Sequence, residues 1–196
     1  MRKTKLSING FTLIEMLIVV TVLTIIIAGG LGIYVMSARS WRESGVQINL
    51  QQKARTVMEK MIYGTAENTA VGTIRNGIIG AEQIQILNYV TGNPVNPPSP
   101  GDRIDFQLQD AGLRNRSFYL DSGRIWYQHG AASASAITPD PATTGIQVSN
   151  LRFSSDVNLV FIVISLDMEQ TIGGVRSSGG STTVKVHLQS AAKKRN

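Results

Sequence analysis

"FTLIEMLIVVTVLTIIIAGGLGIYVM" (residues 11–36) decides the fold. From Met16 to Met36 it runs 21 residues without a charge. At about 1.5 Å per residue that length is roughly 30 Å, the thickness of a bilayer's hydrocarbon core. A cleavable secretory signal has a shorter apolar core, about 7–15 residues, closed by a small-residue site. Here the following "YVMSARSWRE" (34–43) leads straight into another helical pattern. The expected element is a membrane-spanning helix, with Arg2, Lys3 and Lys5 kept in the cytoplasm and the remainder exported. One residue contradicts a plain anchor. Glu15 stands close to the start of the apolar run, and a carboxylate in hydrocarbon is costly enough that it usually has a function and a partner.

Working outward toward the amino terminus, the polar "SING" (7–10) separates the basic residues from the apolar run. Together "KLSING" and "FTLIEMLIVV" (5–20) resemble the class III signal of type IV prepilins and of the pseudopilins of type II secretion systems. The match lies in the short basic leader, Gly10 at its end, Phe11 next, Glu15 four residues further on, and the long apolar stretch. The resemblance implies that a membrane-embedded prepilin peptidase cuts between Gly10 and Phe11 and methylates the Phe11 amine. It further implies that Glu15 of one subunit pairs with the amino terminus of its neighbour in a filament. Two charges that are each costly in lipid would then form one ion pair that fixes axial register. Glu15 is thus expected to be an assembly residue. The implied partners are prepilin peptidase, other pilin or pseudopilin subunits, an inner-membrane assembly platform and the membrane itself.

Working outward in the other direction, Val46, Leu50, Ala54, Val57, Met58 and Met61 fall within an arc of roughly 120° at helical spacing. Lys53, Arg55, Glu59 and Lys60 lie outside it, and Gly64 is a plausible stop. One helix from about Phe11 to Tyr63 is expected, apolar all round in its first half and burying one stripe in its second. Gly29, Gly30 and Gly32 interrupt the first half. Each costs a helix about 1 kcal/mol relative to Ala, so they mark a soft spot where the helix could unwind on leaving the bilayer. The plainer reading of them is close helix packing in the membrane through small residues.

Beyond Gly64 the period changes to two. "EQIQILNYV" (82–90), "RIDFQLQ" (103–109), "RSFYL" (116–120), "RIWYQ" (124–128), "GIQVSNLRF" (145–153) and "STTVKVHL" (181–188) alternate polar with apolar residues. "VNLVFIVISL" (157–166) is continuously apolar, as a central strand would be. "DSG" (121–123) reads as a hairpin turn, while 92–102, 129–145 and 173–181 read as loops. The expected fold is α+β and pilin-like: a long N-terminal helix, half transmembrane and half amphipathic, packed on an antiparallel β-sheet domain. The expected organisation is a cleaved leader at 1–10, a transmembrane and assembly helix at 11–36 and its amphipathic continuation at 37–64. A β-rich domain at 65–190 and a basic tail at 191–196 follow. The element order, with "QQKARTVMEKMI" (51–62), "FYLDSGRIWY" (118–127) and "IQVSNLRFSS" (146–155), resembles the J-type minor pseudopilins and the similar W-type minor pilins.

Composition narrows the function. The chain has 196 residues, a net charge of +6 and no cysteine, which removes disulfides, thiolate zinc sites and Cys nucleophiles. Loss of the leader would lower Lys+Arg from 19 to 16 against 13 acidic residues, so nucleic-acid binding is not expected. His129 and His187 lack ligand-like spacing, and the aspartates form no calcium loop. "GGVRSSGG" (173–180) lacks a phosphate loop's Lys-Ser/Thr, and Trp126 and Tyr127 beside Arg124 read as cross-strand packing. No catalytic set, cofactor or metal is expected. The reading is a minor pseudopilin of a type II secretion system, anchored in the inner membrane with its domain outside the cytoplasm. The rivals are a minor pilin of a type IV pilus and a single-pass anchored binding domain that enters no filament.

Overall fold

The computed structural model describes residues 12–69, 72–97, 99–108, 115–172 and 181–193, without the side chains of 67–69 and 72–74. Its first element is a single helix, α1, Leu13–Tyr63. By internal contacts the chain divides into residues 1–44 and 45–196. In the first unit no described residue is buried, and the apolar side chains from Leu13 to Met36 all face outward.

In the second unit the helix buries Leu50, Ala54, Val57, Met58, Met61 and Ile62. These residues recur at three- and four-residue intervals, so one stripe enters the core. The expected arc is therefore present, with Val46 only half-buried and Ile62 added at its end. The helix stops at Gly64, whose φ of +68° gives a left-handed cap. Its N–H donates to the Lys60 carbonyl at 2.9 Å, which satisfies one of the last carbonyls of the helix. Asn76 then ties the helix end down, its side-chain oxygen accepting the Thr65 N–H at 2.6 Å. A hairpin of β1 (Ala66–Thr69) and β2 (Gly72–Arg75) and a 3-10 turn at Ile78–Gly80 lead into the sheets. None of these three pieces was expected, because none is long enough to carry a hydrophobic period.

A five-stranded antiparallel meander follows in the order β3-β4-β5-β6-β7: Ala81–Leu87, Arg103–Leu108, Asn115–Asp121, Arg124–His129 and Ser135–Ala136. After the short helix α2 (Pro141–Thr144), a three-stranded antiparallel sheet has the order β10-β9-β8: Thr182–Lys193, Phe161–Ile172 and Ile146–Ser155. Gly101 joins the two, exchanging backbone hydrogen bonds of 2.8 and 2.7 Å with Phe153. The inward residues Ile104, Phe106, Phe118, Ile125, Val148, Leu151, Phe153, Ile164 and Leu166 form one core with the helix stripe. The fold is α+β and pilin-like.

Four expectations need correction. The apolar run at 157–166 enters its strand only at Phe161. Asp156 accepts the Val160 and Phe161 N–H groups at 2.8 and 2.9 Å, and Leu159 takes a φ of +55°, so 157–160 is a tight turn. The loop expected over 129–145 contains β7 and α2, the latter started by Asp140, which accepts the Ala142 N–H at 2.9 Å. His129 is not in that loop but closes strand β6. Strand β10 runs to Lys193, three residues into the expected tail. The loop expected over 173–181 lies outside the described residues except for Ser181.

Candidate assembly site at the amino end of the helix

Gly10 and Phe11 lie outside the described residues, and the structure begins beside them at Thr12. There the chain makes a helix start that the sequence reading overlooked. Thr12 precedes the first helical residue, and its hydroxyl accepts the Glu15 N–H at 3.3 Å. In return Oε2 of Glu15 accepts the Thr12 backbone N–H at 2.9 Å and the Thr12 hydroxyl at 3.0 Å. This reciprocal pair is a capping box, and its T-x-x-E signature was present in "TLIE" (12–15). The carboxylate also lies in the first turn, where the positive end of the helix dipole favours an anion. Part of what stabilises Glu15 is therefore inside its own chain.

The rest of the apolar segment hides its few polar groups. Thr21 donates to the Leu17 carbonyl at 2.8 Å and Thr24 to the Val20 carbonyl at 2.7 Å, so neither hydroxyl faces hydrocarbon unpaired. Gly29, Gly30 and Gly32 lie within an unbroken helix, and a Cβ at any of them would meet nothing within 4 Å. No packing against the described residues requires glycine there. The structure brings Glu15 together with Thr12 and leaves the three glycines as a smooth outer surface 14 residues further on.

This segment also carries the likeness to known proteins. Residues 6–31 match the family model of the prokaryotic N-terminal methylation motif. The matched stretch holds the leader end, Thr12, Glu15 and most of the apolar run, and it supports a type IV pilin-like or pseudopilin-like protein. The prepilin-type motif implies processing by prepilin peptidase and assembly with other pilins. With an apolar helix long enough to cross a bilayer, it suggests a single-pass membrane anchor. No curated protein and no solved structure matches the chain.

Elsewhere the side chains pair in ways that organise the sheets. Phe106, Phe118 and Tyr127 make ring contacts at 5.4 and 5.2 Å across β4, β5 and β6. On the opposite face Tyr89 stacks on Tyr119 at 4.8 Å, and the Arg124 guanidinium lies 5.1 Å over the Trp126 ring. His187 sits against Asp167, which also accepts from Asn150 at 3.0 Å. Burial alone would raise the Asp167 carboxyl, but the hydrogen bonds from Asn150 and His187 outweigh it and hold it below the ordinary range. Hydrogen bonds from Gln147 and Lys185 do the same for Glu169. Among the described residues no three His, Asp or Glu side chains converge as a metal site. An open cleft lined by Lys60, Thr65, Asn76, Phe118, Tyr127 and Ile137 has no carboxylate or imidazole among its described lining residues.

Proposed function

We propose that this chain is a minor pseudopilin of a type II secretion system, a structural subunit with no turnover of its own. In this reading the leader 1–10 is removed after Gly10, and Phe11 becomes the methylated amino terminus. The helix over 11–36 anchors the subunit in the inner membrane, and the domain lies outside the cytoplasm. The subunit then enters a filament through that helix, by way of the assembly platform.

One observation carries the reading. The exposed apolar half of α1, Leu13 to Met36, begins with a carboxylate held on its own first turn. Both described hydrogen bonds from Thr12 go to Oε2. A carboxylate offers about four acceptor positions, so Glu15 can cap its own helix and still receive a neighbour's ammonium. Glu15→Gln separates the two roles, because an amide oxygen still caps but carries no charge. The variant is expected to be inserted and cleaved normally and to enter filaments poorly. Wild-type incorporation would overturn the assembly role, and an uncut Met1 terminus in the wild-type membrane fraction would overturn the processing.

The assignment to secretion rests on the J-type likeness of the domain. The rival, a minor pilin of a type IV pilus, draws on the outer rings Tyr89, Tyr119 and Trp126 beside Arg103 and Arg124, which could contact a ligand. Deleting the gene and scoring exoproteins and surface pili in one culture separates them. Lost exoproteins with pili intact support the pseudopilus, and lost pili with secretion intact support the rival.

A further inference from the structure

Where the uncharged run ends, α1 carries a cluster of exposed aromatic and basic side chains. Tyr34 and Trp41 are 71% and 79% exposed. Seven residues apart on a helix, they leave the same side within about 20° of each other and about 10 Å apart along the axis. Arg39 lies about 140° round the helix from Tyr34 and Arg42 about 100° from Trp41, so the cations ring the same level; Glu43 pairs with Arg39 at 3.2 Å, leaving a local charge of +1.

We propose that Tyr34, Arg39, Trp41 and Arg42 form a collar that binds the headgroup layer of anionic phospholipid on the far side of the membrane and so sets the depth of Glu15. The inference rests on the reading of α1 as a spanning helix. Depth supports it. From Glu15 to Tyr34 the helix rises about 28 Å, one hydrocarbon thickness. Tyr34 then lies at the outer edge of the hydrocarbon, and Trp41 and the arginines lie about 8–12 Å beyond, in and just outside the headgroups. Amphipathic rings and cations belong in that layer, where the rings span the boundary and the guanidiniums meet phosphate. Charge favours lipid over a second helix. Packing between membrane helices favours small side chains, whereas this level of the helix presents two large rings on one side and cations around the rest of its circumference. With the collar seated there, Glu15 lies at the opposite edge of the hydrocarbon and not within it. Entry into a filament must then strip the collar from its lipids.

The test uses the full chain carrying Trp126→Phe, which leaves Trp41 as the one tryptophan, in vesicles of phosphatidylcholine and phosphatidylglycerol. Brominated lipids quench indole by contact, and the bromines are placed either just below the headgroup or near the acyl-chain end. The expected result is strong loss of Trp41 emission with the shallow bromines and little with the deep ones. Removing phosphatidylglycerol weakens the shallow quenching, and Arg39→Gln with Arg42→Gln abolishes that lipid dependence. A second chain carries Trp41→Phe, Trp126→Phe and Thr24→Trp, and its indole is expected to be quenched by the deep bromines. Deep quenching at position 24 with none at Trp41 overturns the collar while the spanning helix stands. Blue-shifted Trp41 emission without bromine quenching gives the face to another helix and overturns the collar too. Absence of quenching at both positions overturns the spanning helix itself.

Discussion

Replacing Gly77 by alanine tests how the domain grips its helix. A Cβ at Gly77 would stand 2.3 Å from the Ile62 oxygen, 2.3 Å from the Tyr63 carbonyl carbon and 2.4 Å from the Gly64 nitrogen. The Gly77 φ of −95° is open to any residue, so the cost is steric alone. All three atoms are backbone, and relief needs a displacement of about 1 Å between the helix end and the 3-10 turn. Overpacking of a core costs about 1–3 kcal/mol when side chains can yield. Here the yielding part is the helix end that holds Met61 and Ile62 in the core, and a buried aliphatic side chain contributes about 1.5–3 kcal/mol. A loss of about 3–5 kcal/mol is expected. Gly45→Ala is the control, because its Cβ would meet nothing within 4 Å. It should stabilise the helix by about 0.5–1 kcal/mol. The assay is urea unfolding of the full chain in detergent, followed by the β-sheet circular dichroism. With a slope of about 2 kcal/mol/M, Gly77→Ala should lower the midpoint by roughly 2 M. An unchanged midpoint would refute the close backbone approach on which the estimate depends.

Three further outcomes follow from the packing and the charges. Met61 is fully buried, so Met61→Ala should cost about 2–5 kcal/mol in the same assay, and a cost below about 1 kcal/mol would mean that this helix face is not core. Thr12→Val removes the hydroxyl of the capping box and should weaken the first turn by about 1 kcal/mol, seen as faster amide exchange at Glu15 and Met16. Thr12→Ser should retain protection, and unchanged exchange in the valine variant would remove the cap from the account. Asp167 and Glu169 have carboxyls depressed in the folded state, so their contribution is present above the ordinary carboxylate pKa of about 4. It is lost as pH falls through their folded values. Denaturation between about pH 5 and 2 should be flatter for Asp167→Asn with Glu169→Gln, and identical curves would deny these groups a part.

The larger elements were legible because each repeats a period over many residues. The stripe Leu50–Ala54–Val57–Met58–Met61 sits where helical spacing places it, and "DSG" forms a two-residue turn with Ser122 and Gly123 both at positive φ. Arg116 shows where the pattern held and polarity misled. It shares strand parity with Phe118 and Leu120, and the structure buries it completely. What stayed hidden is short or made by single side chains. The Asp156 turn cuts an apolar run that hydropathy reads as continuous, and β1, β2 and the 3-10 turn depend on Asn76 and on the close contact of Gly64 with Gly77. The T-x-x-E of the candidate assembly site is readable as a cap, but an acidic residue in an apolar run points as readily to a partner in another chain.

A partner in another chain can stabilise Glu15 only after assembly. On the proposed reading the unassembled subunit already sits in a membrane, with its carboxylate and its first unpaired N–H groups together at one end of an apolar helix. Each is costly there alone, since a helix start has four unmade donors and the hydrocarbon edge offers them less water than the bulk. The capping box sets the two costs against each other. The Thr12 N–H and hydroxyl both reach Oε2, while the helix dipole favours the charge that remains. A carboxylate is therefore better suited to this position than a neutral side chain even in the unassembled subunit. The cap also fixes the rotamer of Glu15 in advance, so a pairing partner meets a carboxylate already in place and ordering it on assembly costs little. The residue that is costly in lipid is in this way the one that makes the helix start both stable and ready.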